Sequence, residues 1–303
     1  MRIFVTGASG FVGQKLLPVL AAAGHEPIGA DREVDVTDAA RLGRALAEQT
    51  PDAVIHLAAM SSVARSWQEP RACYQLNFVG TRTLLRAVEA EVPTARVLLI
   101  GSADQYSATS ARSRPLDEST PLRPRSPYAR TKAAAELLGR EAARRGLDVV
   151  RVRAFNHTGA GQSDLFVVSS FARQVAAIRL GIQAPIMRVG NLASVRDFLH
   201  VDDVLRAYLA LLEPSVPADV YNVASERSTS IQEILDQLIE MAGIDAQVET
   251  DPERWRETDW LVGDARKLRD ATGWQPEIPL EAILRELYED WLAREGSVGE
   301  SAV

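Results

Sequence analysis

Residues Arg2 to Thr6 form a short apolar run that enters a glycine-spaced turn, TGASGFVG, with Gly7, Gly10 and Gly13, and passes at once into an apolar helical run from Phe11 to Ala23. A strand followed by a tight turn and a helix returns the chain to the same edge of a sheet, so the next strand lies parallel to the first. The alternation continues. Apolar runs at Glu26–Asp31, Ala53–Leu57, Arg96–Gly101 and Asp148–Arg153 read as buried strands, and the stretches at Ala39–Glu48, Ala72–Glu91 and Pro127–Arg145 read as helices. This pattern predicts an α/β fold with a doubly wound parallel sheet.

Beyond Arg153 the rhythm loosens into a polar, glycine-containing stretch from Asn156 to Asp164, then resumes as helices at Val167–Leu180, Val201–Leu212, Ile231–Met241 and Leu280–Arg294. A smaller second lobe is expected there. The expected division is discontinuous: residues 1–155 with part of 190–223 form the sheet domain, and 156–189 with 224–303 form the lobe. Ser230 followed by Glu233 is a capping box for the helix at Ile231.

With 303 residues, 46% of them hydrophobic, the chain can bury a large core without covalent staples. Cys73 is the single cysteine and the four histidines, His25, His56, His157 and His200, lack zinc-like spacing, so neither a disulfide nor a metal site is expected. No basic leader precedes the first strand and no apolar stretch is long enough to span a bilayer, which places the expected setting in the cytoplasm, away from membranes. A formal net charge of −7 opposes attraction to a phosphate polymer, so nucleic acid is not an expected partner.

The glycine turn lets the backbone approach a pyrophosphate, and the opening residues of the helix, Phe11 and Val12, present their N–H groups to the anion. Asp31, about 20 residues downstream at the end of the second strand, suits the ribose hydroxyls of NAD(H) and repels an added 2′-phosphate. Arg32 beside it pulls toward NADP(H). Asp35 and Val36 in VDVTD are positioned for the adenine, while Asp38 reads as a helix cap. Leu57, Ala58 and Ala59 close the third strand with residues small enough for backbone to lie along a cofactor.

Tyr128 and Lys132 stand four apart in SPYARTK, where Ser126 supplies an N-cap and Pro127 a first-turn proline, so both side chains share one helix face. A lysine so placed favours tyrosinate and is expected to lower the phenol's pKa, fitting Tyr128 for proton exchange with a substrate oxygen. Ser102 follows the strand VLLIG at the carboxyl end of the sheet, where its hydroxyl can hold a carbonyl oxygen. Asp104 stands two residues on.

TGASGFVG, HLAA, GSADQY and SPYARTK, in this order, resemble the extended short-chain dehydrogenase/reductase family over nearly the whole chain. The resemblance implies a Rossmann-type sheet with a C-terminal substrate-binding lobe, a nicotinamide cofactor and a nucleotide-sugar substrate. Within the family, FNHTGAGQ, VGNLASVRDF and GDARKLRDATGWQP resemble the branch of GDP-mannose 4,6-dehydratases and GDP-4-keto-6-deoxymannose reductases. FNHTG is similar to the reductases, because the dehydratases carry a glutamate and an arginine-rich run where this chain has Thr158, Gly159 and Gln162.

By the same resemblance His157 contacts the nicotinamide end, Asn156 the sugar or diphosphate, Arg196 and Arg254 the diphosphate, and Ser61 and Ser62 line the sugar. Alternative partners for the arginines are Asp197 and Glu257. The chain departs from the family at Ser107, where glycine is usual, and at Ala160, where proline is common; neither removes a reactive group. The implied reaction is hydride transfer from NAD(P)H to C4 of a GDP-4-keto-6-deoxyhexose, giving GDP-rhamnose or its C4 epimer. By the same resemblance Asp104 stands where a dehydratase uses an acid to move protons at C5 and C6, so the alternatives are a GDP-mannose 4,6-dehydratase or a nucleotide-sugar 4-epimerase, which recycle their cofactor. A non-catalytic dinucleotide sensor would be expected to lose Tyr128 or Lys132, and both are present. The family also implies a homodimer built on the helices at Ala72–Glu91 and Pro127–Arg145.

Overall fold

A computed structural model describes residues 1–106, 114–252 and 260–300. Ser107, Arg254 and Glu257 lie outside the described residues. Strands β1 (Arg2–Thr6), β2 (Glu26–Ala30), β3 (Ala53–His56), β4 (Arg96–Ile100) and β5 (Val149–Ala154) join Val220–Val223 in a six-stranded sheet ordered Val220–Val223, β5, β4, β3, β1, β2. Its pairings are all parallel. The expected strands agree with these to within a residue at each end.

Period-two alternation sorts each strand between two cores. Ile3, Val5, Ile55, Leu98, Val150 and Val152 enter the core on one face. Phe4, Val54, Val97, Leu99 and Val149 enter the core on the other. Helix α1 (Phe11–Ala22) covers the first face through Leu16 and Leu20, and α2 (Ala39–Gln49) covers the second through Leu42 and Leu46. Asp38 caps α2 by accepting from Ala40 N and Arg41 N, as its position predicts.

The expected single helix at Ala72–Glu91 is broken. Ser62 caps a short α3 (Val63–Gln68), then come α4 (Pro70–Tyr74), a π turn at Gln75–Val79, and α5 (Gly80–Glu91). Gly80 N–H bonds back to Gln75 O, so one extra residue is accommodated inside the helix. Helix α6 (Pro127–Arg144) packs beside them, its N-cap Ser126 accepting from Ala129 N.

The second lobe has its own core, in which Phe171, Val175, Leu235, Leu238, Leu284 and Leu287 join the helices Val167–Arg179, Ile231–Ala242 and Leu280–Glu300. The Ser230–Glu233 capping box is formed. Short strands absent from the sequence reading link the halves: Asn156–Thr158 pairs with Phe198–His200, and Val195–Arg196 pairs with both Thr229–Ser230 and Trp260–Leu261. Leu268 and Trp274 reach back into the sheet's core.

Candidate active site

The carboxyl ends of β1 to β5 lead into the glycine turn, Asp31, Leu57–Ala59, Ser102 and Asn156–His157, while Arg196 lies on the separate short strand Val195–Arg196. Gly7 has φ +70, and a Cβ there would stand 2.8 Å from Ala58 N. A Cβ at Gly13 would stand 2.5 Å from Gly7 O and 2.6 Å from Ala8 O. Both glycines are thus required by backbone packing within the protein. Gly10 opens α1 without any side-chain cap, leaving the first N–H groups of the helix, at Phe11 to Gly13, available to an anion. Phe11 and Val12 rest partly buried on the core beneath. This uncapped helix end and close-packed turn suit a dinucleotide pyrophosphate.

Asp31 Oδ2 accepts from Ser9 N at 2.9 Å, so this carboxylate also ties the end of β2 to the glycine turn. Arg32 is exposed beside it. Asp35 Oδ1 accepts from the N–H and hydroxyl of Thr37, and Val36 is buried where Gly80 gives it room. Leu57, Ala58 and Ala59 are half-buried at the end of β3.

Ser102 caps a single turn, Ala103–Gln105, its Oγ accepting from Asp104 N at 3.2 Å. Tyr128 is buried, with the Ser102 hydroxyl near its phenol. Lys132, also buried, donates from Nζ to Ile100 O at 2.8 Å. The expected direction of the Tyr128 shift is reversed. Burial and the negative charge of Asp104 push the phenol above its ordinary value, more than the nearby Ser102 hydroxyl lowers it, and Lys132, aimed at the end of β4, does not offset them. Burial brings Lys132 itself down to about 8.

Beyond β5, His157 sits with Nδ1 2.9 Å from Phe155 O. Only a donor can face that carbonyl, so Nδ1 carries the proton, and burial lowers the ring's pKa. Asn156 is half-buried on the adjoining strand, and Gln162 Nε2 donates to His157 O at 2.9 Å. Arg196 Nη1 donates to Val195 O. The expected alternative pairing with Asp197 is displaced, because both oxygens of Asp197 are taken by Ser225 N, Ser225 Oγ, Glu226 N and Gly263 N. Ser61 is exposed, and Ser62 Oγ accepts from Arg65 N at 3.2 Å as the cap of α3.

Several structural partners were not identified from sequence. Asn77, in the π turn, accepts from Met60 N at 2.8 Å and donates to Met60 O and Thr131 Oγ1 at 3.1 Å each, joining the loop after β3 to the Tyr128 helix. Ser66 Oγ accepts from Tyr128 N at 3.2 Å. Buried His56 lies 2.8 Å from Thr6 Oγ1 and 3.1 Å from Thr81 Oγ1. Since the Thr81 hydroxyl donates to Asn77 O, His56 Nε2 donates to Thr81 and Nδ1 accepts from Thr6. Among the described residues no group of three or more His, Cys, Asp or Glu is placed to hold a metal, and no helix is long and apolar enough to cross a membrane.

Residues 30–287 match the sequence profile of the family described as GDP-mannose 4,6 dehydratase. GDP-6-deoxy-D-mannose reductase of Pseudomonas aeruginosa is 40% identical, over 97% of this chain and 98% of its own. The structure of RMD from Pseudomonas aeruginosa complexed with NADPH superposes with a TM-score of 0.87 at 39% identity, covering 97% of this chain and 99% of that one. UDP-glucose 4-epimerase of Thermus thermophilus, solved with NAD, gives 0.85 at 28% identity, covering 96% and 99%.

Proposed function

The chain belongs to the GDP-mannose 4,6 dehydratase family of NAD(P)-dependent, extended short-chain dehydrogenases, and from that premise we propose that it reduces C4 of a GDP-4-keto-6-deoxyhexose to the alcohol, giving GDP-rhamnose or its C4 epimer. The observation that carries this reading is the placement of Tyr128: buried near Ser102 at the carboxyl end of the sheet, with burial and Asp104 favouring its neutral form, its phenol is a proton donor at neutral pH. A reductive step needs that form.

When bound, the reduced nicotinamide supplies a hydride to C4. Ser102 Oγ holds the carbonyl oxygen, and Tyr128 gives its phenolic proton to that oxygen as it becomes an alkoxide. Lys132, one helical turn away, holds the end of β4 beside Ser102 through Ile100 O, and a proton from solvent restores the phenol after each turnover. His157 and Asn156 are assigned to the nicotinamide and the sugar and Arg196 to the diphosphate, and Arg254 is assigned to the diphosphate by the resemblance alone. Ser61 and Ser62 border the sugar. Gly7, Gly10, Gly13, Phe11 and Val12 take the pyrophosphate, Leu57 to Ala59 the dinucleotide backbone, and Asp35 and Val36 the adenine. Asp31 supports NAD(H), whereas Arg32 and the NADPH in the Pseudomonas structure support NADP(H).

Asp104 favours a second reading, a 4,6-dehydratase or 4-epimerase, because an acid beside Tyr128 can move protons at neighbouring sugar carbons. Absorbance at 340 nm separates the two. Stoichiometric oxidation of NADH or NADPH on adding GDP-4-keto-6-deoxymannose supports the reductase and ranks the cofactors. Conversion of GDP-mannose to a keto product without added reductant supports the dehydratase and refutes the reductase.

The reading includes a cytoplasmic homodimer. Tyr74 and Leu137, 48% and 49% exposed, and a groove of about 330 Å³ lined by Arg82, Arg86, Leu138 and Glu141 lie on the outer face of α4 to α6, where a second copy would pack. Light scattering at twice the chain mass would agree with it, and monomer mass would refute it. The division into residues 1–155 with part of 190–223, and 156–189 with 224–303, remains part of the proposal, with Leu268 and Trp274 crossing back to the sheet.

A further inference from the structure

Behind Ser102 lies a buried polar chain that none of the steps above uses. Ser102 N–H donates to Gln105 Oε1 at 2.9 Å, and Gln105 Nε2 donates to Glu136 Oε2 at 2.6 Å. Arg153 closes on the same carboxylate twice, Nε to Oε2 at 2.9 Å and Nη2 to Oε1 at 2.7 Å. Its Nη1 reaches Tyr106 Oη at 2.7 Å and Glu118 O at 3.0 Å. Gln105 is wholly buried, and the Arg153 and Glu136 side chains are 6% and 12% exposed. Gly101 makes the fold-back possible, since a Cβ there would collide with Gln105 Oε1.

Two facts of placement give this chain a purpose. Glu136 follows Tyr128 and Lys132 at successive four-residue steps on α6, so it rides on the helix that carries the proton donor. Gln105 belongs to the turn that Ser102 opens. We propose that Gln105, Glu136 and Arg153 are positioning residues that lock the Ser102 turn to the Tyr128 helix and so set where Ser102 stands relative to Tyr128; the kinetic part rests on the reductase reading above. The ion pair is buried, and a half-satisfied buried network is costly, so the amide of Gln105, which both accepts and donates, is the element that completes it.

Gln105→Glu tests this by making the lock depend on a proton. When protonated, the introduced acid accepts from Ser102 N–H and donates to Glu136, as the amide does. Ionised, it sets two carboxylates against one Arg153 charge, and they repel. The other titratable groups around this side chain are Tyr106 and Glu118 behind it, and Asp104, Tyr128 and Lys132 on the Ser102 side.

The expected result is a ratio of variant to wild-type kcat that is near one at acid pH and falls roughly 10²-fold as pH rises, the scale of a misplaced reacting group, with cofactor affinity unchanged. Gln105→Met, which keeps the shape and loses the amide, is expected to be slow at every pH while still folded by circular dichroism. With ¹³Cζ-tyrosine labelling, the Tyr128 resonance, assigned by its loss in Tyr128→Phe, should move over the same pH interval in Gln105→Glu and not in wild type. A pH-independent ratio with an unmoved resonance, or wild-type kcat in Gln105→Met, overturns the proposal. If the wild-type protein does not reduce the keto-sugar, the reductase reading falls, and the Tyr128 resonance still decides this one.

Discussion

His56 makes the stability of this protein depend on pH in a way that can be isolated. Its ring is wholly desolvated and close to Lys132, which brings its pKa from 6.5 down to about 3. The folded protein therefore keeps His56 neutral, bridging Thr6 and Thr81, while the unfolded chain takes up a proton below its ordinary value of about 6.5. The unfolded state binds more protons as pH falls, so stability present above about pH 6.5 is lost in acid. Between pH 7.5 and pH 5 that linkage amounts to about 2 kcal/mol.

The perturbation is His56→Gln, whose amide keeps an acceptor for Thr6 and a donor for Thr81 but does not titrate in this range. Urea unfolding followed by tryptophan fluorescence at both pH values gives the loss for each protein. Other titrating groups, including Asp197, whose burial raises it to about 6 and whose contribution runs the opposite way, cancel in the difference. Wild type should lose about 2 kcal/mol more than the variant over this interval. Equal losses would refute the neutral, buried histidine and the hydrogen-bond directions assigned through Thr6 and Thr81.

Tyr128→Phe keeps the ring in its pocket with Met60 and Cys73, so it should bind NAD(P)H as wild type does in a fluorescence titration while turnover falls by several orders of magnitude; turnover near wild type removes Tyr128 as the proton donor. Gly13→Ala forces a methyl against two backbone carbonyls, and a destabilisation of roughly 1–3 kcal/mol is expected from calorimetric melting, against no change if the turn simply opens. Asp31→Ala removes the carboxylate that repels a 2′-phosphate, so the NADPH to NADH ratio of kcat/KM should rise about tenfold, and an unchanged ratio would detach Asp31 from cofactor choice.

The parts legible in the sequence are those written in local spacing. The glycine turn, strand alternation, Ser126 cap and Tyr128–Lys132 step each depend on residues a few positions apart, and each is found where the spacing puts it. Partnerships across the sheet were not legible. Nothing local to Gln105 announces Glu136 or Arg153, 31 and 48 positions away, and nothing in HLAA tells that His56 is clamped between Thr6 and Thr81. The Tyr128 shift was misjudged for a related reason: the Tyr–Lys spacing is local, but burial and the nearness of Asp104 arise from tertiary packing. Helix periodicity through residues 72–91 also hid the π turn, because Cys73, Asn77 and Thr81 recur at four-residue steps in either geometry.

That π turn divides one length of helix into two angular phases. A straight α-helix advances about 100° per residue, so a single surplus residue rotates everything after it by that angle relative to everything before. The inward surfaces of Pro70–Tyr74 and Gly80–Glu91 are therefore written in different frames, and Asn77 stands at the joint between them. Deleting one residue there would leave composition and apolar content almost untouched. It would nonetheless carry either Asn77 away from Met60 and Thr131 or Leu84 and Val88 out of their core, so this short stretch tolerates substitutions of side chain far better than changes of length.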